Sequence, residues 1–86
     1  MQKIKGSKRF GYHLRMLRLE AGPTVTELTK YMQLLGSDTT RECWVKVEAG
    51  THNVSPEQLR AFAKTLNISY DRIFEFMEDE KRQNIL

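Results

Sequence analysis

Cysteine occurs once, at Cys43, so the chain closes no internal disulfide and must draw its stability from packing, helix caps and association. That scarcity points to a reducing compartment, and the expected location is the cytoplasm. No apolar run approaches the roughly 20 residues of a membrane span, so no membrane association is expected. The opening Met-Gln-Lys-Ile-Lys-Gly lacks the apolar core of a secretory signal. There is no glycine-rich phosphate loop, no nucleophile beside a base and no carboxylate pair framed by a pocket, which argues against an enzyme. His13, His52 and one cysteine give no recognised ligand spacing, so neither metal nor other cofactor is expected. Acids are missing from residues 1–18, where Lys3, Lys5, Lys8, Arg9, Arg15 and Arg18 stand, a distribution suited to facing phosphates or simply to solubility.

What is present is the material of one small helical domain. A chain of 86 residues, 40% hydrophobic and 29% charged with a net charge of +3, falls among ordinary globular proteins. At this size folding buries only about 60–65% of the unfolded chain's surface, so the core is thin. Helical periodicity recurs throughout, without an alternating strand pattern. The first segment, about Lys8 to Ala21, places Phe10, Leu14, Leu17 and Ala21 on one face, and Gly22 and Pro23 stop it. Thr24-Val25-Thr26-Glu27 has the form of a capping box and opens a second helix with an inner stripe of Val25, Leu28, Met32 and Leu35. After the turn composition Gly36-Ser37-Asp38, Thr39 is the expected N-cap of a third helix over about Thr40 to Glu48, ended by Gly50. Ser55-Pro56-Glu57-Gln58 combines a capping serine, a proline at the first helical position and a glutamine three residues after the cap. Leu59, Phe62, Ala63 and Leu66 then line the inner face of a fourth helix, with Asn67 as its C-terminal cap. Ser69 caps a fifth in which Ile73, Phe74 and Met77 point inward. The expected organisation is a basic N-terminal arm over 1–7, a domain over 8–77 and a charged tail or helix extension over 78–86.

The third helix has two opposed faces. Trp44 and Val47 sit three apart and can be buried together, while Arg41, Glu42, Val45 and Lys46 form a polar row with little reason to meet a core. Trp44 is read as core rather than a stacking platform, and Cys43 as a small buried hydrophobe rather than a redox sensor. An arginine fork matches O6 and N7 of guanine, and a carboxylate accepts from the amino group of cytosine, so Arg41 and Glu42 are chemically fit to read base edges. Threonine hydroxyls at a helix start suit phosphate.

In this order and spacing, Leu14-Arg15-x-x-Arg18 before Gly22, Glu27-Leu28, Glu48-x-Gly50, Ser55-Pro56-x-x-Leu59 and Leu66-Asn67-Ile68-Ser69 resemble the phage repressor and Cro type of helix-turn-helix domain. The likeness spans roughly Phe10 to Phe76. It implies an all-α, compact five-helix lambda-repressor-like fold in which helices 2 and 3 form the motif and the third lies in the major groove. By the same resemblance Thr40, Arg41, Glu42 and Lys46 fall at base or nearby phosphate contacts; Thr39, a hydroxyl at the helix start, and Val45, on the polar row, join them as DNA-binding candidates on their own chemistry and position. Thr24 and Thr26 fall at the backbone, and Thr51, His52 and Asn53 in a loop that grips phosphate. Arg18 and Glu48 correspond to a structural ion pair. The implied function is a double-stranded DNA-binding transcription regulator, a repressor of bacterial or phage type, nucleoid-associated when bound and acting as a homodimer, with Phe76, Ile85 or Leu86 as candidate dimer contacts. Two departures stand out. Val25 occupies a position where many members carry glutamine, and the stretch from Leu28 to Glu48 is longer by about five residues than the usual motif, within Gln33 to Asp38. The extra length is either another turn of helix or a loop. These departures leave open a degenerate module that binds a protein partner, as an adaptor or antitoxin-like protein, and a nonspecific binder using the basic end.

Overall fold

Local signals set the start and stop of each element in the computed structural model, which describes residues 7–75. Ser7 accepts a hydrogen bond from the Phe10 amide at 3.0 Å and opens α1 (Lys8–Ala21), so it belongs to the helix start rather than to an arm. Gly22, left-handed at φ 108, closes α1 by donating to the Arg18 carbonyl at 2.9 Å. Thr24 and Glu27 form both bonds of the expected capping box at the head of α2 (Val25–Leu34). α3 (Arg41–Glu48) is capped by Thr40, whose hydroxyl accepts from the Cys43 amide at 3.1 Å. Ser55 and Gln58 build the second box, with Pro56 beginning α4 (Pro56–Leu66), and Asn67 in the left-handed region ends it. A further helical stretch, α5, begins at residue 70 and runs to 75, the last residue described. Ser69 accepts from the Arg72 amide at its head.

The described residues are thus all-helical. α3 packs against α1 and α2, and α2 also packs against α4. Leu14, Leu28, Met32, Trp44, Val54, Phe62 and Ile73 are fully buried at the centre, with the Trp44 and Phe62 rings stacked at 5.0 Å. α5 closes the side of α1: Phe74 stacks on Phe10 at 6.2 Å, and His13 Nε2 meets the Arg72 carbonyl oxygen at 2.7 Å.

Three expectations are corrected and one open alternative is settled. Ala21 is exposed, because the period of α1 names a face but not how far the core extends along it. Leu35 is 52% exposed: α2 ends at Leu34 and Gly36 turns the chain away before the stripe can continue. Thr39 is not the cap of α3; it is buried at 2% exposure and the cap falls to Thr40, so the helix starts at Arg41. The additional length between α2 and α3 is a loop over 35–40 rather than another helical turn. Ser37 donates its amide to the Met32 carbonyl and Gly36 to that of Gln33, a double bond pattern that ends the helix firmly. Met77, Phe76, Ile85, Leu86, most of the 1–7 arm and the 78–86 tail lie outside the described residues.

One close approach was not visible in the sequence. A Cβ on Gly11 of α1 would sit 2.5 Å from the carbonyl oxygens of both Val47 and Glu48 at the end of α3. Reciprocally, Gly50, with φ 81, would bring a Cβ within 2.6 Å of the Ser7–Lys8 backbone. Each helix therefore offers a glycine to the backbone of the other, and the end of α3 is held against the start of α1 at main-chain distance.

Candidate nucleic-acid interface

The site is built on α3, a helix of 8 residues that is too short to persist without tertiary support. Its inner side supplies that support. Trp44 and Val47 are buried, and Glu48 is gripped from three directions. Arg18 Nε donates to Glu48 Oε2 at 2.8 Å and Arg18 Nη2 to Oε1 at 3.0 Å, a fork-to-fork pair, while Trp44 Nε1 donates to Oε2 at 2.7 Å. The third guanidinium nitrogen, Nη1, donates to the Pro23 carbonyl at 3.1 Å. The pair is dry, with side-chain exposures of 10% and 7%. Arg18 and Glu48 are thus joined as the resemblance implies, and they tie α1, α3 and the approach to α2 together. Nothing in the sequence pointed to Trp44 and Pro23 as the other partners.

Opposite that anchor, Arg41, Glu42, Val45 and Lys46 are all exposed. Arg41 and Glu42 belong to the first turn of α3, where the carboxylate of Glu42 also complements the partial positive charge of the helix start. Thr24 and Thr26 are exposed at the head of α2. The cap of α3 leaves useful chemistry outside: Thr40 accepts an amide bond with its hydroxyl oxygen, so its O–H can donate to an anion beside the helix N-terminus. Thr51, His52 and Asn53 are exposed just beyond α3, and the Thr51 hydroxyl donates to the Lys46 carbonyl at 3.3 Å. Thr39 does not share this surface; its hydroxyl is committed inward, to Ser37 and Gln58. A groove of about 290 Å³ runs beside α3, lined by Arg15, Arg18, Val25, Val45, Glu48 and Ala49. Arg15, exposed on α1, thereby joins the rim of the α3 face. In the sequence it stood out only as part of the acid-free first 18 residues and of the Leu14-Arg15-x-x-Arg18 pattern, neither of which placed it beside α3.

Glu27 sits at the edge of this surface. Hydrogen bonds from the Thr24 amide, and then from its side chain, hold the Glu27 carboxyl below the ordinary glutamate value. A depressed carboxyl pKa stabilises the folded state above its unfolded value, and the gain is lost as pH falls through the folded value. Acidification through the lowered Glu27 value is therefore expected to loosen this box, seen as faster exchange of the α2 first-turn amides while the α4 amides, capped by a glutamine that does not titrate, stay protected.

Among the described residues no group of three or more His, Cys, Asp and Glu is placed to hold a metal ion. No helix among them is long and apolar enough to cross a membrane. Cys43 is half-buried. Neither a protein-family model nor a curated protein sequence matches the chain.

Proposed function

We propose that this chain is a sequence-specific, double-stranded DNA-binding transcription regulator of the lambda-repressor-like helix-turn-helix type, acting as a repressor by occupying an operator. The observation that carries this reading is the division of α3, which buries Trp44 and Val47 and leaves Arg41, Glu42, Val45 and Lys46 in solvent. Arg41 is assigned to guanine, Glu42 to cytosine or to exclusion of wrong sequences, and Lys46 to phosphate or a second guanine. Thr24, Thr26, Thr40, Thr51, His52 and Asn53 surround them as backbone contacts. One helix reads too few base pairs for a genome, so the working unit is a homodimer on half-sites about 34 Å apart.

The test is selection of bound sequences from random duplex DNA, repeated with Arg41→Ala and Lys46→Ala proteins of verified fold. An enriched, palindromic motif is expected. Arg41→Ala should relax one base position by about 1–3 kcal/mol, and Lys46→Ala should weaken all sequences evenly and lower the salt slope by about one. If both variants keep the wild-type motif and affinity, the α3 face is not the reader.

A second reading, an interaction module without sequence-specific DNA binding, draws on a different observation. Tyr31, Leu34 and Leu35 are 53%, 74% and 52% exposed at the end of α2, an apolar cluster next to the lengthened loop. Absence of any enriched motif from the wild-type selection would favour this reading.

A further inference from the structure

The first turn of α3 carries Arg41 and Glu42, yet none of its side chains is fully buried: Arg41 and Glu42 are exposed and Cys43 is half-buried. The hydrophobic anchors begin only at Trp44. Ahead of this turn runs the 35–40 loop, long enough to let it fray. What holds it is polar. Gln33 Nε2, on α2, donates to the Thr39 carbonyl at 2.8 Å. Gln58 Nε2, on α4, donates to Thr39 Oγ1 at 3.0 Å and lies 3.7 Å from Cys43 Sγ. Thr39 Oγ1 also meets Ser37 Oγ at 2.7 Å, within the loop itself. Two glutamines from two helices thus close on one buried threonine, two residues before Arg41.

The geometry of Gln58 makes this joint directional. Its Oε1 accepts from the Ser55 amide at 2.8 Å, so the amide oxygen is fixed by the cap of α4 and the nitrogen must face Thr39. Reversing the amide would set its NH2 group against the Ser55 N–H, donor against donor. One side chain therefore locks the start of α4 to the start of α3.

We infer that Thr39 and Gln58 are positioning residues for the reading face, an assignment that rests on the DNA-binding role for what the face reads but not for how it is held. They fix the first turn of α3, and with it the aim of Arg41 and Glu42, without touching a ligand. Val25, where the resembling family often braces the recognition helix with glutamine, has no side-chain amide to do this; here Gln33 and Gln58 hold the approach to α3 through Thr39.

The test compares Thr39→Val, which keeps the branched shape and removes the hydroxyl, with Thr39→Ser, which keeps the hydroxyl. In native-state hydrogen exchange of the free protein, Thr39→Val should speed exchange of the Cys43 and Trp44 amides on the order of ten-fold. The slowest amides of α1 and α4 should change by less than about two-fold, and Thr39→Ser should stay close to wild type. Equal acceleration everywhere would make Thr39 a general stability residue, and no acceleration at Cys43 and Trp44 would leave the joint without a role; either overturns the assignment. In the duplex selection, Thr39→Val should lose preference at the same base position as Arg41→Ala, with an unchanged salt slope. A retained preference there overturns the link to recognition. A wild-type protein with no preferred sequence instead overturns the DNA-binding proposal, while the exchange result still decides whether the joint holds α3.

Discussion

Arg18→Ala is expected to unfold the domain, or nearly so. Removing one partner of a buried ion pair costs about 3–5 kcal/mol because the other charge is left in a dry site. A domain this small, with its thin core, has a total stability of about 5 kcal/mol, the low end of the range for folded proteins. The loss spreads beyond the pair itself. Glu48 keeps only the indole N–H of Trp44, and the Pro23 carbonyl loses the guanidinium that satisfies it. Since about 1 kcal/mol moves the melting point of so small a domain by 4–8 °C, a fall of at least ~12 °C is expected. Circular dichroism of the variant with native helicity and an unchanged melting point would contradict the structural role. Two controls sharpen the result. Arg18→Lys keeps the charge but not the fork, so it should fall between. The double variant Arg18→Met with Glu48→Met removes the stranded charge, yet leaves Trp44 Nε1 and the Pro23 carbonyl without partners at about 1–3 kcal/mol each. It should therefore recover only part of the loss.

Gly11→Ala is the second large effect, and its sign runs against helix propensity. In an ordinary helix interior the change would stabilise by about 0.8–1 kcal/mol. Here the new methyl meets two carbonyl oxygens at 2.5 Å, and both belong to backbone, which has no flexible end to swing aside. Overpacking of this kind costs about 1–3 kcal/mol, occasionally more, so after the propensity gain a net destabilisation of about 1–2 kcal/mol is expected. The strain can be relieved only by sliding α3 away from α1. Where the variant still folds, Trp44 and Val47 should loosen with it, and any binding by the α3 face should weaken more than the stability change alone explains. A melting point equal to or above wild type would show that the two helices have room to separate at no cost.

What could be read from the residues alone follows the range of the interactions that encode it. The capping boxes at Thr24 and Glu27 and at Ser55 and Gln58, and the left-handed stop at Gly22, are each settled within four residues of chain, and all of them form. The two faces of α3 were equally legible, because helical spacing alone separates Trp44 and Val47 from Arg41 and Lys46. Legibility ended where a distant element decides. Ala21 and Leu35 carry the right period but lie past the reach of the core. Thr39 had the composition of a cap, but Gln58, distant in sequence, gave its hydroxyl another partner and drew it inward. Gly11 looked like an ordinary residue within a helical pattern, since the carbonyls it must admit come from residues 47 and 48. The same limit applies to the loop over 35–40: its length was evident, while its anchoring by Gln33 and Gln58 required the packing of three helices.

The chain has a single tryptophan, and it is the residue that seats α3. Its indole lies stacked on Phe62 with the ring nitrogen bonded to Glu48, sealed from solvent. The protein thereby carries a built-in optical gauge of one particular docking event. Emission should shift to longer wavelength when α3 lifts off, whether through heat, a broken Glu48 contact or a crowded Gly11, and quencher access to this lone fluorophore would time that motion separately from the melting of α4.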